Sequence, residues 1–296
     1  MAHDQRRTKT AYTLQWDRFR VVRPEEDRAT FAFKTGSPPE ELAGRRVLDA
    51  GCGGGRYVRL VGQAGAEVVG MDLSDAVSAA REVTADLPNV SLLRGDLLRV
   101  PLRAGRFDFI YSLGVLDHTP APRRAFLNLV PLLRPGGRIA VWVYPRWRPT
   151  LEWMNHLQRA VSTRLPLGLL MRLSRWSAPL GALKGRLLHS RYYPVQRFGV
   201  ALNVLTIGVS THPDPEQRVC DTLDWYAPRF QSHHTLEEVR SWFDEAKLVN
   251  VVNLAENQEF YYEGQGHGIN LIGQRPKEDP CASDATQTST RTEEPL

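Results

Sequence analysis

A glycine-rich turn directly after an apolar segment is the feature of this 296-residue sequence with the clearest chemical meaning. The segment Arg46 to Ala50 runs into a turn that contains Gly51, Gly53 and Gly55. Glycines let a backbone bend sharply and approach a ligand closely. A helix that follows such a turn offers its first amide groups to a negatively charged group. The sequence therefore predicts a site for a nucleotide-like ligand at this turn.

The spacing of the glycines distinguishes two kinds of nucleotide site. A dinucleotide site of the G-x-G-x-x-G type would need a third glycine where this sequence has Arg56. The acid Asp49 stands two residues before Gly51, so the turn reads Asp-x-Gly-x-Gly-x-Gly. A nucleotide-dependent oxidoreductase on a similar sheet stays open as an alternative.

The segment from about Arg45 to Tyr144 resembles the class I S-adenosylmethionine (SAM)-dependent methyltransferases, particularly the group that includes the ubiquinone and menaquinone biosynthesis enzymes. The first motif of that family is (Asp/Glu)-x-Gly-x-Gly-x-Gly. Asp49, Gly51, Gly53 and Gly55 match it residue by residue. The resemblance implies that SAM is the cofactor and that these residues bind it.

The resemblance also implies two acids at later strand ends. An acid at the end of the second strand holds the ribose hydroxyls, and Asp72, followed by Leu73, occupies that position. A carboxylate suits this task because it accepts charge-assisted hydrogen bonds from two adjacent hydroxyls. An acid after the third strand lies near the adenine amino group, and Asp96, followed by Leu97, occupies that position.

After the fourth strand the family has a backbone and apolar wall beside the donor, and Ser112 and Leu113 stand there. Residues that face the acceptor follow. Among them His118 could take a proton from an acceptor hydroxyl, because a neutral imidazole accepts a proton and can release it to water. The alternative is that His118 caps or packs against the next helix.

His233 and His234 form a second group of candidate catalytic residues. They precede Thr235, whose spacing to Glu238 is that of a capping box at a helix start. A helix that leaves the fifth strand begins at the carboxyl edge of a parallel sheet, where ligands bind. Both histidines are therefore predicted near the site, with a structural pair as the alternative. No metal site is predicted, because adjacent histidines point in different directions and no third ligand has suitable spacing.

Short β-branched segments alternate with helical segments from Arg45 onward, which is typical of a parallel sheet built from βαβ units. The predicted strands are Arg46 to Ala50, Glu67 to Asp72, Val90 to Arg94, Phe107 to Ser112, Arg138 to Tyr144, Val249 to Ala255 and Gly268 to Gln274. The predicted helices are Arg56 to Ala64, Asp75 to Thr84 with Ser74 as N-cap, Pro122 to Leu133, and one from Thr235 through Ala246. The expected fold is α/β, a Rossmann-like, seven-stranded, mostly parallel sheet with helices on both faces and a helical insert after strand 5.

Composition divides the chain into six parts. The two ends are too polar to bury much surface, which favours disorder. Tyr12, Trp16 and Phe19 lie on one face of a predicted helix, which either docks on the core or forms a lid over the cofactor. The six parts are a disordered tail (1–10), an N-terminal helical or lid segment (11–44), the SAM-binding core (45–145), a basic helical insert (146–231), the last helix and strands of the core (232–274) and a second disordered tail (275–296).

Positive charge is concentrated in the insert. Between Arg146 and Arg197 the sequence has ten Lys or Arg residues and one acid, Glu152, whereas the whole chain has a net charge of +5. We interpret this module as an acceptor lid. Its basic amphipathic helices predict an anionic or lipid-linked acceptor or contact with a membrane surface, with a solvated arginine-rich face as the alternative.

The sequence predicts a SAM-dependent methyltransferase that acts on a small-molecule or lipid-linked acceptor, or alternatively a SAM-binding pseudo-enzyme or regulatory module that transfers nothing. The polar N-terminus predicts a cytoplasmic protein, with peripheral contact to the inner face of a membrane as a further expectation. DNA is not an expected partner, because the (Asn/Asp/Ser)-Pro-Pro-(Tyr/Phe) pattern of amino-methylating enzymes is absent after the fourth strand. The sequence does not define the oligomeric state.

Overall fold

Seven strands form one mixed sheet in the order β3-β2-β1-β4-β5-β7-β6. A computed structural model describes residues 2–19, 24–146, 149–257 and 268–277. Strands β1 to β5 pair in parallel, and β7 is antiparallel to both β5 and β6. The predicted Rossmann-like α/β sheet is confirmed. The strands are β1 (Arg46–Ala50), β2 (Glu67–Asp72), β3 (Val90–Arg94), β4 (Phe107–Leu113), β5 (Leu133–Val143), β6 (Val249–Asn253) and β7 (Ile269–Gln274).

Ten α-helices are present in the described part of the chain. They are α1 (Ala2–Arg18), α2 (Pro24–Thr35), α3 (Arg56–Gln63), α4 (Val77–Val83), α5 (Pro122–Leu129), α6 (Pro149–Ser162), α7 (Leu167–Leu188), α8 (Tyr193–Leu205), α9 (Pro215–Tyr226) and α10 (Leu236–Glu245). Short 3₁₀ helices cover Pro39–Leu42, Leu116–His118, Val130–Leu132 and Leu254–Asn257. None of the described helices has a stretch long and apolar enough to cross a bilayer.

Two apolar layers hold helices on both faces of the sheet, because successive strand residues point to opposite sides. On one face Leu48 of β1 shares a buried cluster with Phe126 of α5 and Trp242 of α10. On the other face Val47 shares a cluster with Phe31 of α2 and residues of α3. Strand β1 thus lies between both layers, and the carboxyl ends of its neighbours β2 and β4 lie beside its own.

The N-terminal residues differ from the sequence prediction, because residues 2–10 are helical rather than a disordered tail. Their polar side chains make hydrogen bonds with the insert. The guanidinium of Arg7 donates to the carbonyl oxygens of Ser162 and Leu165 at 3.2 and 2.7 Å. The hydroxyl of Thr8 accepts from the amide of Arg229 at 3.0 Å. Long-range hydrogen bonding of this kind cannot be read from composition. Of the predicted tail 275–296, residues 278–296 lie outside the described residues.

Several predicted element ends shift for identifiable reasons. Helix α4 begins later than predicted, at Val77, and Ala76 rather than Ser74 is at its N-cap position; the hydroxyl of Ser74 donates to Asp72 at 2.6 Å and accepts from the amide of Ala76 at 3.3 Å. Helix α5 stops at Leu129, since Pro131 follows in a 3₁₀ turn and cannot continue the backbone hydrogen bonds. The predicted cap of α10 is confirmed, because Thr235 accepts from the amide of Glu238 at 3.1 Å.

The helical insert after strand 5 is also confirmed, and it consists of α6 to α9. Two of its basic residues are buried and hydrogen-bonded inside the module, so they do not contribute charge to its surface. The ammonium of Lys184 is buried and donates to the carbonyl oxygen of Ile207 at 2.7 Å. The guanidinium of Arg159 is buried and donates to the carbonyl oxygens of Trp225 and Pro228. The positive surface is therefore smaller than the residue count implies.

Candidate functional site

A cavity of about 800 Å³ lies at the carboxyl ends of the parallel strands, which is where ligands bind in open α/β sheets. The glycine turn after β1 and the ends of β2, β3 and β4 contribute to its lining, and α1 and the insert supply further walls. Its volume is within the range of small-molecule and cofactor sites. Eight of the ten predicted cofactor-binding residues line it, namely Asp49, Gly51, Gly53, Asp72, Leu73, Asp96, Leu97 and Leu113.

Ser112 and Gly55 are the other two predicted cofactor residues, and they do not line the cavity. They lie behind its wall and stabilise the elements that form it. The buried hydroxyl of Ser112 donates to the carbonyl oxygen of Ala50 at 2.8 Å and so ties β4 to β1. Gly55 has a φ of +86°, and a Cβ there would lie 2.9 Å from the Cα of Ala80 in α4. Its lack of a side chain therefore serves the close packing of two helices.

Three glycines of the turn line the cavity, and two of them, Gly51 and Gly53, stand where the backbone requires glycine. Gly51 has a φ of +110°, and a Cβ there would lie 2.3 Å from a methyl group of Val115. Gly53 has a φ of +49°, and its Cβ would lie 2.8 Å from Nε1 of Trp16 in α1. Both the backbone angle and the lack of space exclude a side chain.

Asp72 fixes this turn to the end of β2. One carboxylate oxygen accepts from the amide of Gly53 at 2.9 Å, and the other accepts from the amide and hydroxyl of Ser74 at 2.8 and 2.6 Å. The carboxylate is thereby held on the cavity wall in one orientation. This arrangement is suited to accepting hydrogen bonds from a ligand with adjacent hydroxyls.

Asp49 lies buried beneath the turn. The phenol of Tyr111 donates to its carboxyl group at 3.0 Å. Burial, together with the nearby charge of Asp72, raises the pKa of Asp49 to about 8, and the Tyr111 hydrogen bond opposes this shift. At neutral pH the floor of the cavity therefore carries a predominantly protonated acid.

His118 is buried in the lining of the cavity with one ring nitrogen available. Its Nδ1 lies 3.0 Å from the carbonyl oxygen of Phe230, which can only accept, so Nδ1 carries the hydrogen. Nε2 has no hydrogen-bond partner among the described residues and lies 3.9 Å from a carboxylate oxygen of Asp224. The phenol of Tyr144 donates to that carboxylate at 2.9 Å. Burial lowers the pKa of His118 below its usual value, although Asp224 opposes this effect, so Nε2 is a free lone pair at neutral pH.

The structure separates the two adjacent histidines. His233 lines the cavity, and its Nδ1 lies 2.9 Å from both carboxylate oxygens of Glu152. His234 does not line the cavity, because its ring points to the other side, where it contacts Glu238 and Ser232 at 2.9 Å each. The prediction of a catalytic His234 is therefore not supported by its position. His234 instead links the strand end at Tyr144 to the start of α10.

Helix α1 lies over the cavity, as the lid interpretation expects. The ring of Tyr12 meets the ring of His118 edge to face at 5.4 Å, and Trp16 packs on the glycine turn. Arg56, where a dinucleotide site would need glycine, lines the cavity and forms an ion pair with Asp27 of α2. The N-terminal segment thus closes one side of the site.

Lys34 is a cavity residue that the sequence analysis missed. Its side chain is 9% exposed, and Nζ lies 3.8 Å from the centroid of the Trp142 ring. No hydrogen bond or ion pair of Nζ exists within the described residues. Burial and the nearby Arg56 lower the pKa of Lys34 from 10.5 to about 7. The local sequence, Phe-Ala-Phe-Lys-Thr, contains no motif that would have identified it.

Exchanging Lys34 for methionine is expected to stabilise the protein at pH 6. The pKa of Lys34 is about 7 in the folded chain and 10.5 in the unfolded chain, so unfolding takes up a proton between these pH values and the destabilisation by the lysine is complete below pH 7. The variant should gain a few kcal/mol in the free energy of unfolding at pH 6 and little at pH 10. Urea unfolding at both pH values measures this difference.

Lys184→Met is the matched control, since its Nζ donates to the Ile207 carbonyl oxygen and its removal leaves that oxygen unpaired. This variant should gain no stability at pH 6. Equal gains for both variants would contradict the assignment of Lys34 as the buried cation that has no hydrogen bond or ion pair.

Among the described residues, no group of three or more His, Cys, Asp or Glu side chains is arranged to hold a metal ion.

Comparisons with known proteins agree with this geometry. A family model described as a methyltransferase domain matches residues 48–141. A ubiquinone biosynthesis O-methyltransferase of Coxiella burnetii is 34% identical over 100 residues, which are 33% of this chain and 43% of the relative. The enzyme of the same name from Nitrosococcus oceani is 33% identical over 131 residues, or 42% and 54% of the two chains. The match thus spans about half the length of these curated relatives.

Solved structures with a similar course of the chain include a SAM-dependent methyltransferase of Mesorhizobium loti. It is 18% identical, with 82% of this chain and 96% of that chain covered and a TM-score of 0.48. A phosphoethanolamine N-methyltransferase of Haemonchus contortus is 19% identical, covering 49% and 33%, with a TM-score of 0.42. The fold assignment itself is based on the strand order of this chain.

Proposed function

We propose that this chain transfers the methyl group of SAM to a hydroxyl group of a small-molecule acceptor, a proposal that the match of residues 48–141 to a methyltransferase domain supports. The observation that carries the choice of a hydroxyl is the free Nε2 of His118 in the wall of the cavity. A base in that position is needed when the acceptor must lose a proton. The O-methyltransferase name of the curated relatives supports the same acceptor chemistry.

The cavity lining offers hydrogen-bonding and apolar groups that suit SAM. The Asp72 carboxylate would accept from the ribose hydroxyls, and the backbone of Gly51 and Gly53 in the cavity wall would contact the ligand. Asp96 and Leu97 would flank the adenine, and Leu113 would form the apolar wall. When bound, SAM supplies a methyl group already activated by a positively charged sulfur. The protein then has to orient the acceptor, exclude water and remove a proton.

His118 is the residue that removes the proton. The hydrogen bond from Nδ1 to the Phe230 carbonyl oxygen fixes the tautomer, so Nε2 can accept the proton of an acceptor hydroxyl. Asp224, 3.9 Å away, stabilises the imidazolium that forms, and Tyr144 holds the carboxylate in place. The imidazolium then releases the proton to water.

The insert and α1 would keep water out of the reaction. Met154, Asn155 and Gln158 of α6 line the cavity opposite the glycine turn. Because the insert forms this wall, we propose that it selects the acceptor. We extend the proposal to an amphipathic or lipid-linked acceptor, since the cavity continues beneath insert helices that expose many apolar side chains.

A thermal-shift comparison tests the donor half of the proposal. SAM and S-adenosylhomocysteine are expected to raise the Tm, because each binds the folded state alone, and NAD is expected to leave it unchanged. A shift with NAD and none with SAM would favour an oxidoreductase.

Methyl transfer is then tested with tritiated SAM and a metabolite extract, followed by mass spectrometry for products that have gained one methyl group on oxygen. Thermal shifts with SAM but no labelled product from any extract would indicate a SAM-binding module without transferase activity. Methylation on nitrogen or carbon would refute the hydroxyl acceptor.

A further inference from the structure

We propose that helices α7 and α8 form a docking surface for an anionic membrane, and that the cavity beneath them receives its acceptor from this surface. The second half of this inference rests on the proposed function, whereas the docking itself does not. We call these two helices and the turn between them the docking hairpin (residues 167–205). The apolar face, the charge and the position of the cavity each support the inference.

Helix α7 has two faces of different character. Its inner face, which includes Gly181 and Gly185, packs closely on the Ser210 and Thr211 segment that leads to α9. The opposite face carries an exposed apolar stripe at helical spacing, formed by Leu169, Leu173, Trp176 and Leu183. Trp176 is 75% exposed. Monomeric soluble proteins rarely leave such a stripe without a function.

Helix α8 extends this apolar surface. Tyr193 and Phe198 are 66% and 61% exposed, and Val195 and Val200 are also exposed. Of the fifteen exposed large apolar residues in the described part of the chain, thirteen lie in the insert. The exposed apolar surface is thus a property of this module and not of the whole protein.

The charge of this surface identifies its partner. No Asp or Glu occurs between positions 153 and 213 of the sequence. Exposed arginines accompany the apolar residues and form no ion pair within the described residues, namely Arg164, Arg172, Arg175, Arg186, Arg191 and Arg197. Aromatic and aliphatic side chains interleaved with arginine are typical of helices that lie in the interface of anionic membranes. A second copy of the chain would bring the same positive charge to the contact and be repelled.

The cavity reaches the docking hairpin from below. Leu188 at the end of α7, together with Asn203 and Thr206 at the end of α8, belongs to the same lining as Gly51 and Asp72. One continuous space therefore extends from the glycine turn to the hairpin. A hairpin lying on a membrane would bring this end of the cavity close to the lipid headgroups, from which an amphipathic acceptor can enter.

Vesicle flotation of the full chain tests the docking. We expect the protein to float with phosphatidylcholine vesicles that contain phosphatidylglycerol, to float far less with pure phosphatidylcholine, and to be released by high salt. The double variant Trp176→Ser, Phe198→Ser and the triple variant Arg172→Glu, Arg175→Glu, Arg197→Glu should each weaken binding by at least about tenfold. Val249→Ser with Val252→Ser, which changes exposed apolar residues of β6 outside the insert, is the matched control and should bind normally.

The outcomes separate this inference from the proposed function. Trp176→Ser, Phe198→Ser should retain the thermal shift with SAM, and His118→Gln should retain flotation. Absence of flotation with phosphatidylglycerol vesicles would overturn the proposal. A dimer in sedimentation experiments that dissociates in the Trp176, Phe198 variant would overturn it too, and would assign the surface to self-association.

Discussion

Replacing His118 by glutamine is expected to lower kcat by about 10²- to 10⁴-fold, the usual contribution of a general base. The affinity for SAM should stay within about twofold, since the change keeps the side-chain volume similar and alters a group that faces the acceptor. Glutamine offers no basic nitrogen near Asp224. Single-turnover transfer with tritiated SAM measures the chemical step, and calorimetric titration measures SAM binding.

The pH dependence of the reaction gives a second readout for His118. A base must be neutral to act, and burial lowers the pKa of His118, so activity should be lost only on acidification below its usual value of 6.5. The wild-type protein should therefore show a plateau across neutral pH and an acid limb beneath it. In the His118→Gln variant this acid limb should disappear along with most of the rate.

His234→Gln is the matched control, because it is the same exchange at a histidine that contacts Ser232 and does not line the cavity. It should lower the free energy of unfolding by about 1 kcal/mol through the loss of its buried hydrogen bonds, with kcat unchanged. If His234→Gln lowered kcat as much as His118→Gln did, the assignment of the base would be wrong.

The donor half of the site could be predicted because it depends on local sequence. A parallel strand that ends in a glycine turn fixes the position of Gly51 and Gly53, and the pairing of β1 with β2 brings Asp72 to the same edge. Each of these residues lies at a strand end that its own segment determines. Ser112 and Gly55 do not line the cavity, because a motif indicates which residues are needed but not which of them lie in the cavity wall and which support it.

The sequence indicates His118 itself but not the other polar residues that line this part of the cavity, since they come from distant segments. Lys34 comes from α2, His118 from a 3₁₀ turn after β4, and Asp224 from α9. Nothing in the sequence near any of the three indicates the other two. Their meeting depends on how the insert folds back over the sheet, which is decided by contacts between residues far apart in the chain.

The role of the charged residues in the insert is also only partly predictable from the sequence. The sequence gives the number of lysines and arginines, and the structure divides them between two tasks. Arg159 and Lys184 donate hydrogen bonds to buried carbonyl oxygens. Arg172, Arg175 and Arg197 instead face the solvent beside apolar side chains. The second group gives the module its expected affinity for anionic surfaces.

Replacing Asp72 by alanine is expected to weaken SAM binding by about 10²- to 10⁴-fold. The carboxylate would accept two charge-assisted hydrogen bonds from the ribose, each contributing about 1.5 to 3 kcal/mol. The variant also frees the amide of Gly53, which Asp72 holds at 2.9 Å, so the turn becomes less well ordered for the ligand. Asp72→Asn, which keeps the shape and one acceptor oxygen, should show a smaller loss than Asp72→Ala.

The fold should survive this change, because Asp72 lies at the end of β2 and its partners Gly53 and Ser74 are in connecting segments rather than in the apolar layers. Calorimetric titration with SAM measures the affinity, and circular dichroism confirms the fold. Asp86→Ala is the control, since it removes an exposed carboxylate that pairs with Arg59 and does not line the cavity. Unchanged SAM affinity in a folded Asp72→Ala variant would refute the proposed contact between Asp72 and the ribose. The glycine turn would then have to bind its ligand in another orientation.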